Sequence, residues 1–161
     1  MNRKQENLGI HILENVRNEL YYHFPYLDGA FACISGRASD QTRTIGTDGR
    51  YFLFSPEYLL GLYIRKPEAV RRGYLHMLLH CLYLHIFRED QKDRRLWNLA
   101  CDIAVEQIIT REKIPSLKLR ENEIRRKVLH MSGDQADSAE KIYRKLKEEA
   151  FPFRLEEMEE A

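Results

Sequence analysis

The first periodic stretch of the chain is ENLGIHILENVRNELYY, residues 6–22, where Leu8, Ile12, Val16 and Leu20 recur at helical spacing and predict an amphipathic first helix. From Leu27 to Ile34 the residues turn small and β-prone around Gly29, which predicts a short strand followed by a polar loop through Asp40. Thr44 to Phe54, TIGTDGRYFLF, couples a tight-turn signal at Asp48-Gly49 to an apolar run from Tyr51 to Phe54 that reads as a strand. Ser55-Pro56-Glu57 then supplies a cap, a proline at the first helical position and an early acid, so a helix should run to about Ile64. Lys66-Pro67-Glu68 repeats that signal and opens the most apolar part of the chain.

That part is GYLHMLLHCLYLHIFR, Gly73 to Arg88. Leu75, Leu78, Leu79, Leu82 and Ile86 make the predicted helix apolar nearly all round, so it belongs inside the fold. After the charged turn EDQKD comes RRLWNLACDIAVEQIIT, with Leu96, Trp97, Leu99, Ala100, Ile103, Ala104, Val105 and Ile108 around its axis, a second buried helix. Ile114 to Leu129 is highly charged and reads as a solvated helix face. A turn is expected at Asp134 to Asp137, then a last helix from Ser138 to Glu149 with Asp137 as N-cap and Glu140 at the capping-box position. The pattern fits one α+β domain over residues 1–150, mainly helical with a small sheet, and an acidic tail or linker over 151–161.

Charge and composition exclude more than they identify. Of 161 residues, 26 are basic and 25 acidic, a balance that gives no electrostatic reason to expect a nucleic-acid or membrane partner. The basic cluster Arg125-Arg126-Lys127 lacks interleaved aromatics and does not alter that expectation. No basic-then-apolar leader or membrane-length apolar run is present, and the odd cysteine count of Cys33, Cys81 and Cys101 suits free thiols. A cytoplasmic location is expected.

The candidate chemistry lies in the two buried helices. His76 and His80, four residues apart, fall within about 40° on a helical wheel, the spacing of the histidines in H-E-x-x-H, where two imidazoles hold zinc and the glutamate is the general base. Met77 stands where that glutamate would be, and a thioether has no useful proton affinity near neutral pH. His11 and His23, without a second histidine at helical spacing, are expected at the surface or its boundary.

A third ligand is required. His85 is nine residues past His76, about 180° around the helix, and faces away unless the helix ends before it. Asp102 is better placed, because its position 22 residues after His80 allows a turn and a second antiparallel helix. Asn98, Asp102 and Glu106 form one polar stripe, costly in an apolar helix unless paired with cations or a metal. The residues alone leave two readings: a metal site, or core histidines hydrogen-bonded to Asp102 and Glu106.

TIGTDGRYFLFSPEYL, the His76 helix, LWNLACDIAVEQII and SAEKIYRKL, in that order, resemble the bacterial putative metallopeptidase domain family that commonly precedes a von Willebrand factor A-like domain. The resemblance runs from about Thr44 to Leu146. It implies a zincin-like fold with Zn2+ held by His76, His80 and Asp102, and a peptide or protein ligand or a von Willebrand factor A-like partner. Members generally carry glutamate at the position of Met77 and often asparagine at that of Glu106. The resemblance therefore implies zinc binding with impaired or absent hydrolysis, Glu106 being the one substitute base. The alternative is a metal-free protein-interaction scaffold that keeps the fold.

Overall fold

The computed structural model describes residues 2–88, 93–118 and 136–148. The expected EDQKD turn lies largely outside them, as do most of the charged stretch from Ile114 to Leu129, the start of the Asp134 turn and the acidic tail. Within the described residues the chain is a mainly helical α+β structure with one three-stranded mixed sheet.

Helix α1, Arg3–His23, starts on Asn2, whose side chain accepts the Lys4 amide at 3.1 Å. It buries Ile12, Leu13, Val16 and Leu20. Leu8 is exposed, so the apolar stripe begins one turn later than its spacing suggests. His11 and His23 are exposed, as expected.

The strand expected from Leu27 to Ile34 is not formed. Residues Pro25–Leu27 make a 3-10 turn and Asp28–Cys33 a short helix, α2, before strand β1 opens at Ser35 and ends at Ala38. The run Ala30-Phe31-Ala32-Cys33 contains no β-branched residue, and a helical turn places Phe31 in the core, 6.2 Å ring to ring from Tyr74.

The hairpin forms as read. Strands β2, Ile45–Thr47, and β3, Tyr51–Phe54, are antiparallel and joined through Asp48-Gly49. The Asp48 carboxylate accepts the Arg50 and Tyr51 amides at 2.8 and 2.7 Å, bonds that lower its pKa. Gly49 takes φ 88°, open to glycine at no steric cost. β1 pairs in parallel with β3, which gives the order β1-β3-β2 and leaves β2 at an edge of the sheet.

Ser55 caps helix α3, Pro56–Arg65, and Pro67–Leu82 forms helix α4. Central strand β3 packs on α4, with Phe52 stacked on Tyr74 at 5.0 Å and 16°. Gly73 lets α4 approach edge strand β2, since a Cβ there would lie 2.9 Å from Ile45 Cδ1. One turn beyond Met77, Cys81 Sγ lies 3.7 Å from Thr47 Oγ1. Gly73, Met77 and Cys81, spaced by four, thus define the flank of α4 that runs along β2.

Two expectations for α4 are corrected. It ends at Leu82 rather than continuing to Arg88, because Leu84 adopts φ 57° and a 3-10 turn, His85–Phe87, follows. Leu82, Tyr83, Leu84 and Ile86 are consequently exposed, while Leu75, Leu78 and Leu79 are buried. The apolar character of the segment is thus spent partly on the surface.

Helix α5, Arg94–Arg111, is capped by Asp93 and lies between two apolar clusters. Val105 and Ile109 join the main core of α1, the sheet, α3 and α4, while Trp97, Ala100, Ile103 and Ala104 face Ile142, Tyr143 and Leu146 of helix α6, Ala139–Glu148. The N-cap of α6 is Ser138, whose hydroxyl accepts the Lys141 amide at 3.3 Å. Asp137 is instead buried and accepts Lys141 and Lys145 at 2.6 and 2.7 Å, a stronger demand on its carboxylate than capping. Among the described residues no helix is long and apolar enough to cross a membrane, and Cys33, Cys81 and Cys101 are free.

Gly9 offers a direct test of the packing of α1 on the sheet. A Cβ at Gly9 would lie 2.4 Å from Phe54 Cε2, and Phe54 is fully buried. Alanine should gain about 1 kcal/mol in helix propensity and lose about 1–3 kcal/mol to overpacking, so the clash wins. Gly9→Ala is expected to lower the urea midpoint without changing the m-value; an unchanged or raised midpoint would show that the ring can yield.

Candidate metal centre

α4 and α5 pack side by side, and their polar positions meet. His76 and His80 point from α4 toward Asp102 of α5, with His76 Nε2 and His80 Nε2 2.8 Å apart. Asp102 Oδ1 is 3.0 Å from His80 Nε2 and 3.3 Å from His76 Nε2. These edges approximate the separation of about 3.3 Å expected between ligand atoms around a tetrahedral zinc.

The supporting contacts decide which nitrogens are available. His76 Nδ1 lies 2.8 Å from Glu106 Oε1, so a proton on that nitrogen is donated to the carboxylate. His80 Nδ1 lies 3.2 Å from His85 Nδ1. Both far nitrogens are thus engaged away from Asp102, and the two Nε2 atoms converge on its carboxylate, the orientation in which metal-ligating histidines are held. The three residues fit a metal such as zinc by donor type and by placement. The histidine side chains are largely enclosed, at 15% and 10% exposure, while that of Asp102 is 56% exposed, so the group opens to solvent on the α5 side.

The electrostatics follow from these contacts. Burial disfavours a charged His76, but its bonds to Asp102 and Glu106 outweigh burial and raise its pKa to about 9. Although the Asp102 side chain is half open to solvent, its carboxylate is partly desolvated where it meets α4; hydrogen bonds from His76 and His80 overcome that and hold the group at about 2. Burial beside His80 pushes His85 down to about 4, so it is neutral near pH 7 and can accept the His80 Nδ1 proton. Burial and neighbouring Asp102 push the Cys101 thiol up to about 12, which keeps it protonated and a poor ligand.

A pH dependence with a definite sign follows. Without metal, His76 favours folding below pH 6.5, and that contribution is lost as pH rises through about 9. A metal bound through His76 Nε2 would have to displace the same proton, so its affinity would run the opposite way. If that metal is zinc, its apparent affinity should rise about tenfold per pH unit from pH 6.5 to 8. Calorimetry in buffers of different ionisation enthalpy should then show proton release on zinc addition at pH 7; no release would show that His76 does not give up its proton to the ion.

His85, about 180° from His76 on an unbroken helix, reaches the site because α4 stops first. It backs His80 at the nitrogen remote from Asp102. Met77 is half-buried against the main core on the β2 flank. Glu106 joins His76 to Arg72, whose Nε and Nη2 lie 2.8 and 2.7 Å from Glu106 Oε2. Sequence reasoning missed Arg72. The available signal was its position one turn before His76, facing a polar stripe that continues from Asp102 and Glu106 to Thr110.

No curated protein and no solved structure matches the chain. The sequence profile of the family described as Putative metallopeptidase domain matches residues 12–159, beyond both ends of the resemblance read from the motifs. With nearly the whole chain covered and a metal-capable His-His-Asp group on its two central helices, the protein belongs to the putative metallopeptidase domain family.

Proposed function

We propose that this protein is a zinc-binding, metallopeptidase-like domain whose peptidase activity is impaired or absent. His76 and His80 through Nε2, and Asp102 through its carboxylate, are the ligands. The observation that carries the reading is the convergence of three donor atoms at 2.8, 3.0 and 3.3 Å with both histidines engaged at their far nitrogens. Zinc in such a site would acidify water and polarise a carbonyl group.

What this chain lacks is a base at the usual place. Met77 flanks the histidine face, about 100° from His76 and 60° from His80 around the helix, and its thioether can neither take a proton nor pass one to a leaving amine. The same flank faces β2, whose outer edge has no strand partner among the described residues. An extended peptide could pair there as an added strand, with its backbone fixed by the sheet and its side chains read by neighbouring pockets. Such a ligand, or a von Willebrand factor A-like domain or other protein partner, would be bound without being cut. A cytoplasmic setting suits the three free thiols.

A metal-free scaffold is the second reading, favoured by one observation: His76 and His80 both have hydrogen-bond partners in Asp102, Glu106 and His85 without an ion. Elemental analysis of protein made without a histidine tag separates the two. One zinc per chain after zinc-supplemented expression is expected; no metal in folded protein would favour the scaffold.

A further inference from the structure

We infer that Arg72 and Glu106 act as one positioning pair, in which Arg72 holds the Glu106 carboxylate so that it accepts the His76 Nδ1 proton and presents His76 Nε2 to the metal. This rests on the zinc reading above and assigns Glu106 a role other than that of a relocated general base.

Arg72 is 5% exposed, and its guanidinium is bound on several sides. Nε and Nη2 reach Glu106 Oε2, Nη2 also reaches Thr110 Oγ1 at 2.7 Å, and Nη1 donates to the Leu117 carbonyl at 3.0 Å. The cation on α4 is thereby tied to α5 and to the 3-10 turn Pro115–Leu117. A guanidinium fixed by three partners cannot swing, and neither can the carboxylate it holds.

Glu106 is divided between its two oxygens. Oε2 receives Arg72, and Oε1 lies 2.8 Å from His76 Nδ1. A carboxylate so committed holds a tautomer and a ring orientation; it is not free to collect a proton from water and hand it on. Arg72 and His76 are also one helical turn apart on α4, so the pair braces His76 from the helix that carries it and from the one opposite. Neither Arg72 nor Glu106 need touch the metal for this. They are positioning residues.

The test is zinc affinity, measured by chelator competition, together with the visible spectrum of the cobalt-substituted protein at saturating metal. Glu106→Gln and Arg72→Met are each expected to weaken zinc binding roughly 10–100-fold, the usual effect of losing a supporting contact. Both should also alter the cobalt bands, a change that loss of stability alone would not produce in protein of native circular dichroism. Because Arg72 acts through Glu106, the double variant Arg72→Met/Glu106→Gln should bind no more weakly than the weaker single variant. Multiplying losses, or wild-type affinity and spectrum in either folded single variant, would overturn the pairing. Should the single variants leave a buried charge unpaired and fail to fold, the double variant, which removes both charges, decides alone: wild-type zinc affinity and cobalt spectrum would overturn the inference, and weakened affinity with altered bands would support it. Failure of the wild-type chain itself to take up zinc would instead remove the zinc reading and this inference with it.

Discussion

Met77→Glu, with zinc bound, is expected to cleave an unstructured protein substrate at a measurable rate, while Met77→Gln does not. A positioned general base is worth typically 10²–10⁴ in rate, and glutamate restores it at the position where Met77 now lies, half-buried on the flank between the histidines and β2. Glutamine matches the size and polarity of glutamate but cannot hold the proton, so the pair separates proton transfer from mere loss of an apolar side chain. The measurement is release of new amino termini over time at saturating zinc. Robust and equal cleavage by the wild type and Met77→Gln would show that Met77 does not limit hydrolysis.

Zinc is expected to stabilise the wild-type fold strongly, and Asp102→Ala or His80→Ala to abolish that stabilisation. At free zinc about 1,000 times its dissociation constant, a ligand that binds only the folded state adds about 4.1 kcal/mol. At about 2–4 °C per kcal/mol for a chain of this size class, the melting temperature should rise by roughly 8–16 °C. Asp102 is the more informative of the two. Its side chain is 56% exposed, so removing it leaves no cavity; what the metal-free variant should lose is the stability that Asp102 gains from its bonds to His76 and His80, a loss separate from that of the zinc-dependent rise. His80 is only 8% exposed, and its removal should lower stability even before zinc is added. A zinc-dependent rise that persists in both variants would mean that the ion binds elsewhere.

Much of the fold was legible because its signals are local. The Asp48-Gly49 turn, the Ser55 cap and the proline that opens α4 each act within a few residues of the backbone they shape, and all three occur as read. The misreadings fell where local preference was weak or was outweighed. Leu27 to Ile34 reads as β-prone on a weak signal, with no β-branched residue before Ile34, and packing of Phe31 beside Tyr74 chose helix. Asp137 looked like a cap by spacing alone, but two lysines on α6 claim its carboxylate and Ser138 caps in its place.

The pairing of His76 with His80 and the place of Met77 beside them are legible in the chain alone, because positions within one helix are fixed by 3.6 residues per turn whatever surrounds them. Spacing also left Asp102 and His85 as the two candidates to join them. That Asp102 lies against both histidines had to come from packing, since the register of α5 against α4 depends on side chains from both helices and from α6. The same packing placed Glu106 between His76 and Arg72. Leu84, at φ 57°, ended α4 and brought His85 back behind His80, a backbone event for which the apolar run gives no warning. Spacing along a helix is a property of the chain, whereas the meeting of two helices is a property of the core they share.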